Sequence, residues 1–130
     1  MMRHIILATF IGLAPTLSTA LHAQEAGDAE AGRRVFNQCR ACHTIDQGGR
    51  NGVGPNLFGI VGRPTASLQN YTYSENMREL GASGHVWTVE NLRPYITNPK
   101  AIVPRGKMSF PGLRNDTQIN DLMAYLVSLK

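Results

Sequence analysis

Two cysteines and a histidine near residue 40 are the residues best suited to chemistry. They stand in the order Cys39-Arg40-Ala41-Cys42-His43. Residues three positions apart on a helical turn share one face, so both thiols can react with one flat molecule. Each thiol can add to one of the two vinyl groups of a haem, and the histidine that follows can bind the iron. The C-x-x-C-H order is the attachment pattern of c-type haem.

Three other kinds of site would use a pair of cysteines at this spacing. A thioredoxin-like redox site needs a surrounding β-α-β pattern, which the sequence lacks. A structural zinc site needs four ligands, and beyond residue 23 the cysteines and histidines are only Cys39, Cys42, His43 and His85. A simple local disulfide leaves the adjacent histidine unexplained. The pattern therefore predicts one covalently attached haem c.

The other side of the iron needs a second ligand or stays open. The candidates are Met77, Met108, Met123 and His85. Met123 lies on the apolar face of a predicted helix, where methionine more often fills the core. Met77 lies in a short helical pattern, and His85, in a glycine-flanked turn, is expected to be a solvated loop residue. Met108 is favoured because it lies in an irregular, proline-bounded stretch, and histidine with methionine is an axial pair of high reduction potential.

Apolar residues are concentrated at the start of the chain. Arg3 precedes an apolar run over residues 5–13, and small residues then provide cleavage options after Ala20 or Ala23. This order is typical of a secretory signal peptide, and the run is shorter than the roughly 20 residues of a membrane span. We expect a cleaved signal over residues 1–23, a domain over residues 24–130, a periplasmic location and no stable membrane insertion.

The chain beyond residue 23 is rich in turn residues and poor in core residues. It holds all but one of the 13 glycines and all but one of the 7 prolines. Two cysteines exclude a framework of several disulfides, and small domains that cannot fill a core usually add a cofactor. We therefore expect the haem to fill the core and the haem-free chain to be largely unfolded.

Helical spacing is clearest at the two ends of this domain. Asp28 can cap a helix over residues 28–40, and Asn115 or Asp116 can cap one that runs to Lys130. A third helix is expected over residues 74–80, ended by Gly81.

A fourth helix is expected after Thr88, and Pro94 should kink or shorten it. Residues 43–67 and 98–112 are punctuated by glycine or proline and should be irregular. The predicted fold class is all-α with long loops.

With these motifs in place, the chain resembles the class I cytochromes c along nearly all of its length beyond the leader. The matching segments include Gly54-Pro55-Asn56-Leu57, Gly62-Arg63-Pro64-Thr65, Tyr71-Thr72-Tyr73, Asn98-Pro99-Lys100 and Lys107-Met108-Ser109-Phe110. The resemblance implies the class I cytochrome c fold, in which the first and last helices cross and loops wrap one covalent haem. It also supports Met108 as the axial ligand opposite His43.

The resemblance implies roles for further residues. The Pro55 carbonyl would accept a hydrogen bond from the His43 ring and orient it. Three donors would bond or neutralise the haem propionates: Arg63, Tyr73 and Trp87. Tyr95 would lie near the methionine sulfur. Gly32 and Phe36 would pack against Tyr125, which gives a helix crossing as the reason for a glycine inside a helix.

The loop before Met108 departs from the family pattern. The family often has Pro-Gly-Thr before the Lys-Met pair, whereas this chain has Pro104-Arg105-Gly106. The threonine hydroxyl that would help to brace that loop is absent.

The implied function is a monomeric one-electron carrier that performs no catalysis. Its partners would be redox proteins, a reductase or dehydrogenase and an oxidase, which dock transiently through electrostatics. The basic residues expected around the haem are Arg33, Arg34, Arg40, Arg63, Lys100, Arg105 and Lys107, within a chain of formal net charge +4. They steer acidic partners or simply solvate the surface. Nucleic acid is not expected, because the charges are scattered and no nucleic-acid motif is present.

Two alternatives to a free carrier stay open. The first is an electron-entry module of a larger periplasmic enzyme complex. The second is a haem enzyme or gas sensor, which needs an open iron position and a distal acid–base group. Beyond residue 23, only His85 could supply a distal histidine.

Overall fold

The computed structural model describes residues 27–130, which form an all-α fold as predicted. The helices are α1 Ala29–Val35, α2 Glu75–Ala82, α3 Val89–Thr97, α4 Pro99–Ile102 and α5 Asp116–Ser128, with a 3-10 turn at Phe36–Gln38. Within this part of the chain the only β-type pairing is an isolated bridge between Pro64 and Val86. The predicted signal peptide and the start of the domain at residue 24 lie outside the described residues.

None of the helices in residues 27–130 combines the length and the apolar character that a bilayer crossing needs.

Side-chain caps begin four of the helices at residues with the right chemistry. The Asp28 carboxylate accepts hydrogen bonds from the backbone N–H groups of Glu30 and Ala31. Ser74 caps α2 and Thr88 caps α3. Of the two residues predicted to cap the last helix, Asn115 is the cap, and Asp116 is the first residue of α5. Each cap satisfies one or two N–H groups that have no partner inside the helix.

Several predicted helix ends were wrong by a few residues. The first helix stops at Val35 and continues as the tighter 3-10 turn, and α5 ends at Ser128. Gly81 does not end α2, which runs on to Ala82. A Cβ on Gly81 would lie 2.3 Å from the Thr65 carbonyl oxygen, so this glycine allows a close approach of two backbones.

Pro94 lies inside α3, which continues for three residues beyond it to Thr97. The stretch expected to be wholly irregular, residues 98–112, contains the short helix α4, with Pro99 in its first turn. Proline suits that position because its missing N–H would have no partner there.

The first and last helices cross in direct contact at Gly32. A Cβ on Gly32 would lie 1.9 Å from the carbonyl oxygen of Asp121 and 2.7 Å from the Cβ of Tyr125. Beside this contact the rings of Phe36 and Tyr125 pack with their centroids 5.6 Å apart. The Asp28 N–H also donates to the Asp121 carboxylate at 2.7 Å. The predicted packing of Gly32 and Phe36 on Tyr125 is thus confirmed.

A small hydrophobic core lies between this crossing and α3. Its most deeply buried side chains are Phe36, Leu122 and Val103. Met123 is also in this core, with 3% of its surface exposed, as its helical spacing predicts. Five other buried side chains of the core line a cavity, which is described next: Ile60, Trp87, Leu92, Tyr95 and Leu126.

Candidate haem site

A cavity of about 240 Å³ brings together residues from distant segments that can bind a haem or its iron. Its lining includes both cysteines, His43 and Met108. It also includes the five further residues that the resemblance implies at the haem: Pro55, Arg63, Tyr73, Trp87 and Tyr95. It also includes apolar side chains such as Leu57, Ile60 and Leu126. A mostly apolar wall with a few metal donors suits a flat, hydrophobic macrocycle.

The two cysteines lie on one tight turn that follows the 3-10 segment. The N–H groups of Cys42 and His43 both donate to the Cys39 carbonyl, at 3.1 and 3.0 Å. Cys39 is half-buried and Cys42 is exposed. Burial, followed by the neighbouring Cys42, raises the pKa of the Cys39 thiol to about 11. The turn therefore presents two thiols and the imidazole along one edge of the cavity.

The His43 ring is held in a slot made by the next loop. Its Nδ1 lies 2.7 Å from the Pro55 carbonyl oxygen. A carbonyl only accepts, so Nδ1 carries the proton and Nε2 keeps its lone pair for a metal. Burial lowers the pKa of His43, and the bond to Pro55 opposes this only in part. The imidazole is consequently neutral, which is the form that binds iron.

Gly54 makes room for that ring. A Cβ on Gly54 would lie 2.3 Å from the Cε1 atom of His43 and less than 3 Å from both ring nitrogens. No other residue type leaves this space free. The slot and the donor set both fit a haem iron.

Asn56 holds the slot in shape through a buried network. Its side-chain amide donates to the Thr44 hydroxyl at 2.8 Å and to the Asp46 carbonyl at 3.0 Å. Its side-chain oxygen accepts the N–H of Phe58 at 3.0 Å. Sequence reasoning assigned Asn56 no role, and the only signal was its position directly after the Gly-Pro pair.

The three residues expected at the propionates all line the cavity. The Arg63 guanidinium donates to the carbonyls of Asn56, at 2.8 Å, and Phe58. Burial lowers the pKa of Arg63, although nearby Tyr73 opposes this shift. The Tyr73 hydroxyl accepts the Leu68 N–H at 3.3 Å, and Trp87 is 6% exposed. These side chains are held in place by the protein itself.

Tyr95 and Met108 line the same cavity, and so does Met77. Tyr95 is buried, and burial raises the pKa of its phenol to about 12, so the hydroxyl stays protonated. Met123 lies in the core and is not among the lining residues. Of the four candidates for the second axial ligand, the structure places only Met77 and Met108 at the cavity.

The expectation that His85 is a solvated loop residue was wrong. His85 is half-buried, and its Nδ1 lies 2.7 Å from the hydroxyl of the buried Thr65. Its ring also packs edge-on against Trp87, with centroids 4.8 Å apart. His85 does not line the cavity, so it cannot serve there as a distal acid–base group. Two paired loops hold it, since the Thr65 N–H donates to the His85 carbonyl.

The predicted basic ring is only partly present at the cavity. Arg63 and Lys107 line it. Arg33 and Arg34 instead form ion pairs with Glu30, and Arg105 forms one with Glu79. Within residues 27–130, Arg40, Lys100 and Lys107 make no ion pair.

An all-α domain with a C-x-x-C-H turn and a methionine in one apolar cavity defines a haem-binding protein of the c type. The family model described as "Cytochrome c" matches residues 29–130. The chain is 47% identical over 112 residues to cytochrome c2 of Rhodospirillum rubrum, covering 80% of this chain and 99% of that protein. It is 45% identical over 95 residues to cytochrome c-550 of Ancylobacter novellus, covering 73% and 89%. It is 41% identical over 125 residues to cytochrome c-554 of Methylosinus trichosporium, covering 96% and 92%. The chain belongs to the cytochrome c family.

Membership confirms the class I resemblance and the general function. The protein is a monohaem c-type cytochrome, a one-electron carrier that exchanges electrons with redox partners and is not an enzyme. It carries one covalently attached haem c, and axial ligation by histidine and methionine is typical of the family.

Proposed function

We propose that His43 Nε2 and Met108 Sδ would bind the haem iron of this electron carrier, and that Cys39 and Cys42 would hold the haem through thioether bonds. The observation that carries the proposal is the His43 slot, where the Pro55 carbonyl accepts from Nδ1 at 2.7 Å and leaves Nε2 free. The haem supplies a single iron that cycles between the ferric and ferrous states. The protein chain binds the haem, excludes water from it and orients the polar groups around it.

The surrounding side chains keep the site dry and orient its polar groups. Trp87 and Tyr95 are almost fully buried, and their rings pack at a tilt of 40° with centroids 4.8 Å apart, so they form a continuous aromatic wall. We assign Arg63, Tyr73 and Trp87 to the propionates, because each has a donor at the cavity and a buried carboxylate needs one. Tyr95 contributes a protonated hydroxyl near the methionine.

The proposed partners are a reductase or dehydrogenase as donor and an oxidase as acceptor, docked transiently to a monomer. The cations that make no ion pair in the described part of the chain include Arg40 within the attachment turn and Lys107 at the cavity. An acidic patch on the partner would be attracted to them. If so, the bimolecular rate of electron transfer falls as ionic strength rises, and a rate independent of salt contradicts electrostatic docking.

The periplasm is the proposed location, with the signal removed after Ala20 or Ala23. The support is the order of charged, apolar and small residues in the first 23 positions. The mass of the exported protein tests this directly, because each cleavage site gives a different value.

One spectroscopic comparison tests the ligand assignment. The ferric protein should show the weak near-infrared band of methionine sulfur bound to iron. Met108→Ala should lose this band and keep its covalent haem on a denaturing gel. Met77→Leu is the matched control, because it removes the other thioether at the cavity and should keep the band. A band that survives in Met108→Ala, or ready binding of carbon monoxide by the reduced wild-type protein, contradicts the proposal.

A further inference from the structure

Met108 lies in a non-helical loop, so contacts from elsewhere must hold its sulfur in place. We call residues 103–113 the Met108 loop. It begins with a turn in which the Gly106 N–H donates to the Val103 carbonyl at 3.0 Å. Lys100 donates to the Gly106 carbonyl at 2.6 Å, and Lys107 donates to the Thr72 carbonyl at 2.7 Å. The loop is therefore tied to α4 and to the segment that precedes α2.

Helix α2 adds a closed network around Arg105, three residues before Met108. The Arg105 N–H donates to the side-chain oxygen of Asn76 at 3.2 Å. The Asn76 amide nitrogen donates to Glu79 at 3.2 Å. The Arg105 guanidinium donates to the same carboxylate oxygen of Glu79 at 3.3 Å. Three side chains and one backbone group thus form a ring of hydrogen bonds.

The geometry of α2 explains why this ring forms. Asn76 and Glu79 are three positions apart on the helix and therefore share one face. The two ends of the Asn76 amide meet opposite partners, an N–H on one side and a carboxylate on the other, so the amide has one favourable orientation. Asn76 is also the residue before Met77, which lines the haem cavity. The network joins the two methionine-bearing segments of that cavity.

We propose that Asn76 is a positioning residue that keeps Met108 on the iron by anchoring the Met108 loop to α2. The proposal rests on the assignment of Met108 as an axial ligand. The network stands where the loop has Arg105-Gly106 and lacks the threonine brace noted in the sequence. The Glu79–Arg105 ion pair contributes less, because its side chains are 53% and 70% exposed. The bond from Asn76 to the backbone of Arg105 is the more direct link to Met108.

Imidazole binding to the ferric protein measures this anchoring. Imidazole takes the iron only in the fraction of molecules whose Met108 has dissociated, so its apparent affinity rises in proportion to that fraction. Loss of one hydrogen bond that forms only while the loop is closed should raise the affinity about fivefold. Asn76→Ala should show this increase and still show the near-infrared band when imidazole is absent.

Two control variants separate positioning from general stability. Asn37→Ala removes an exposed asparagine from the 3-10 turn and should leave the imidazole affinity unchanged. Gly32→Ala should destabilise the protein at the α1–α5 crossing without changing the affinity. An affinity for Asn76→Ala equal to that of the wild type overturns the proposal, and so does an equal increase in Gly32→Ala.

A surface pair provides the test if Asn76→Ala does not fold. Glu79→Ala and Glu75→Ala each remove one carboxylate from α2, but only Glu79 contacts Arg105. Glu79→Ala should bind imidazole about twofold more tightly at low ionic strength, and Glu75→Ala should match the wild type. Equal affinities in these two variants contradict the network. Persistence of the near-infrared band in Met108→Ala would instead show that the ligand assignment, and not Asn76, is at fault.

Discussion

Adding one methyl group at Gly32 should destabilise the protein, although helix propensity alone predicts the opposite. Alanine is favoured over glycine inside a helix by about 1 kcal/mol. At this position, however, the new Cβ would lie 1.9 Å from the Asp121 carbonyl oxygen and 2.6 Å from its carbonyl carbon. These atoms belong to the backbone of α5 and cannot rotate away. The two helices must separate by more than about 1 Å to restore ordinary contact.

The expected net effect follows from these opposing contributions. Overpacking in a well-packed core costs about 1–3 kcal/mol, and a clash with helix backbone lies at the upper end. After subtraction of the gain in propensity, Gly32→Ala should lower the free energy of unfolding by about 2 kcal/mol. For a domain of this size, that corresponds to a fall in Tm of roughly 8–16 °C.

Guanidinium unfolding of the haem-loaded protein measures the effect, with circular dichroism and Trp87 fluorescence as independent probes. Ala31→Gly on the same helix is the matched control, and it should lose about 1 kcal/mol through propensity alone. Both variants should therefore be destabilised, although they change propensity in opposite directions. If Gly32→Ala is as stable as the wild type or more stable, the close crossing of α1 and α5 is wrong.

Three further changes probe the haem site. Gly54→Ala places a Cβ 2.3 Å from the His43 ring, so it should displace the imidazole and break its bond to Pro55. The near-infrared band should then weaken, and an unchanged spectrum would contradict the proposed packing of His43 against Gly54. Asn56→Ala removes three side-chain hydrogen bonds and should lower the free energy of unfolding by about 3 kcal/mol. Asn70→Ala at the surface is the control and should change it by less than about 0.5 kcal/mol. Denaturant titration measures both. Cys39→Ala/Cys42→Ala, prepared without haem, should be largely unfolded by circular dichroism, and a cooperative native-like thermal transition would refute the idea that the haem fills the core.

The position of His85 argues against the haem-enzyme and gas-sensor alternative. A peroxidase-like or gas-sensing role needs a distal acid–base group at the iron. Among residues 27–130 the only histidine outside the attachment motif is His85, which is bonded to Thr65 and packed on Trp87, outside the cavity. The electron-carrier function agrees with this placement, because a carrier needs an enclosed iron and no reactive group beside it.

The attachment turn and the helix caps could be predicted from the sequence, because they depend on residues close together in the chain. The C-x-x-C-H turn predicts covalent haem because two thiols and an imidazole within five residues must share a turn. The caps at Asp28 and Thr88 were recognisable because each accepts hydrogen bonds from residues only two or three positions away. Helix ends were less accurate, since α1 tightens into a 3-10 turn where the attachment turn begins.

Spacing and capping do not place contacts between distant residues. The family resemblance implied two of them, His43 with Pro55 and Gly32 with Tyr125, and the tertiary structure decided the others. The glycine in α1 suggested a close approach, but its partner, Asp121, lies on the last helix. The bond from the Arg105 N–H to the side chain of Asn76, 29 positions away, had no signal in the sequence. His85 was misjudged because its neighbours, glycine and valine, indicate a loop and contain no information about Thr65. Spacing and capping act within about one helical turn, whereas these pairings form only when the whole chain packs around its cavity.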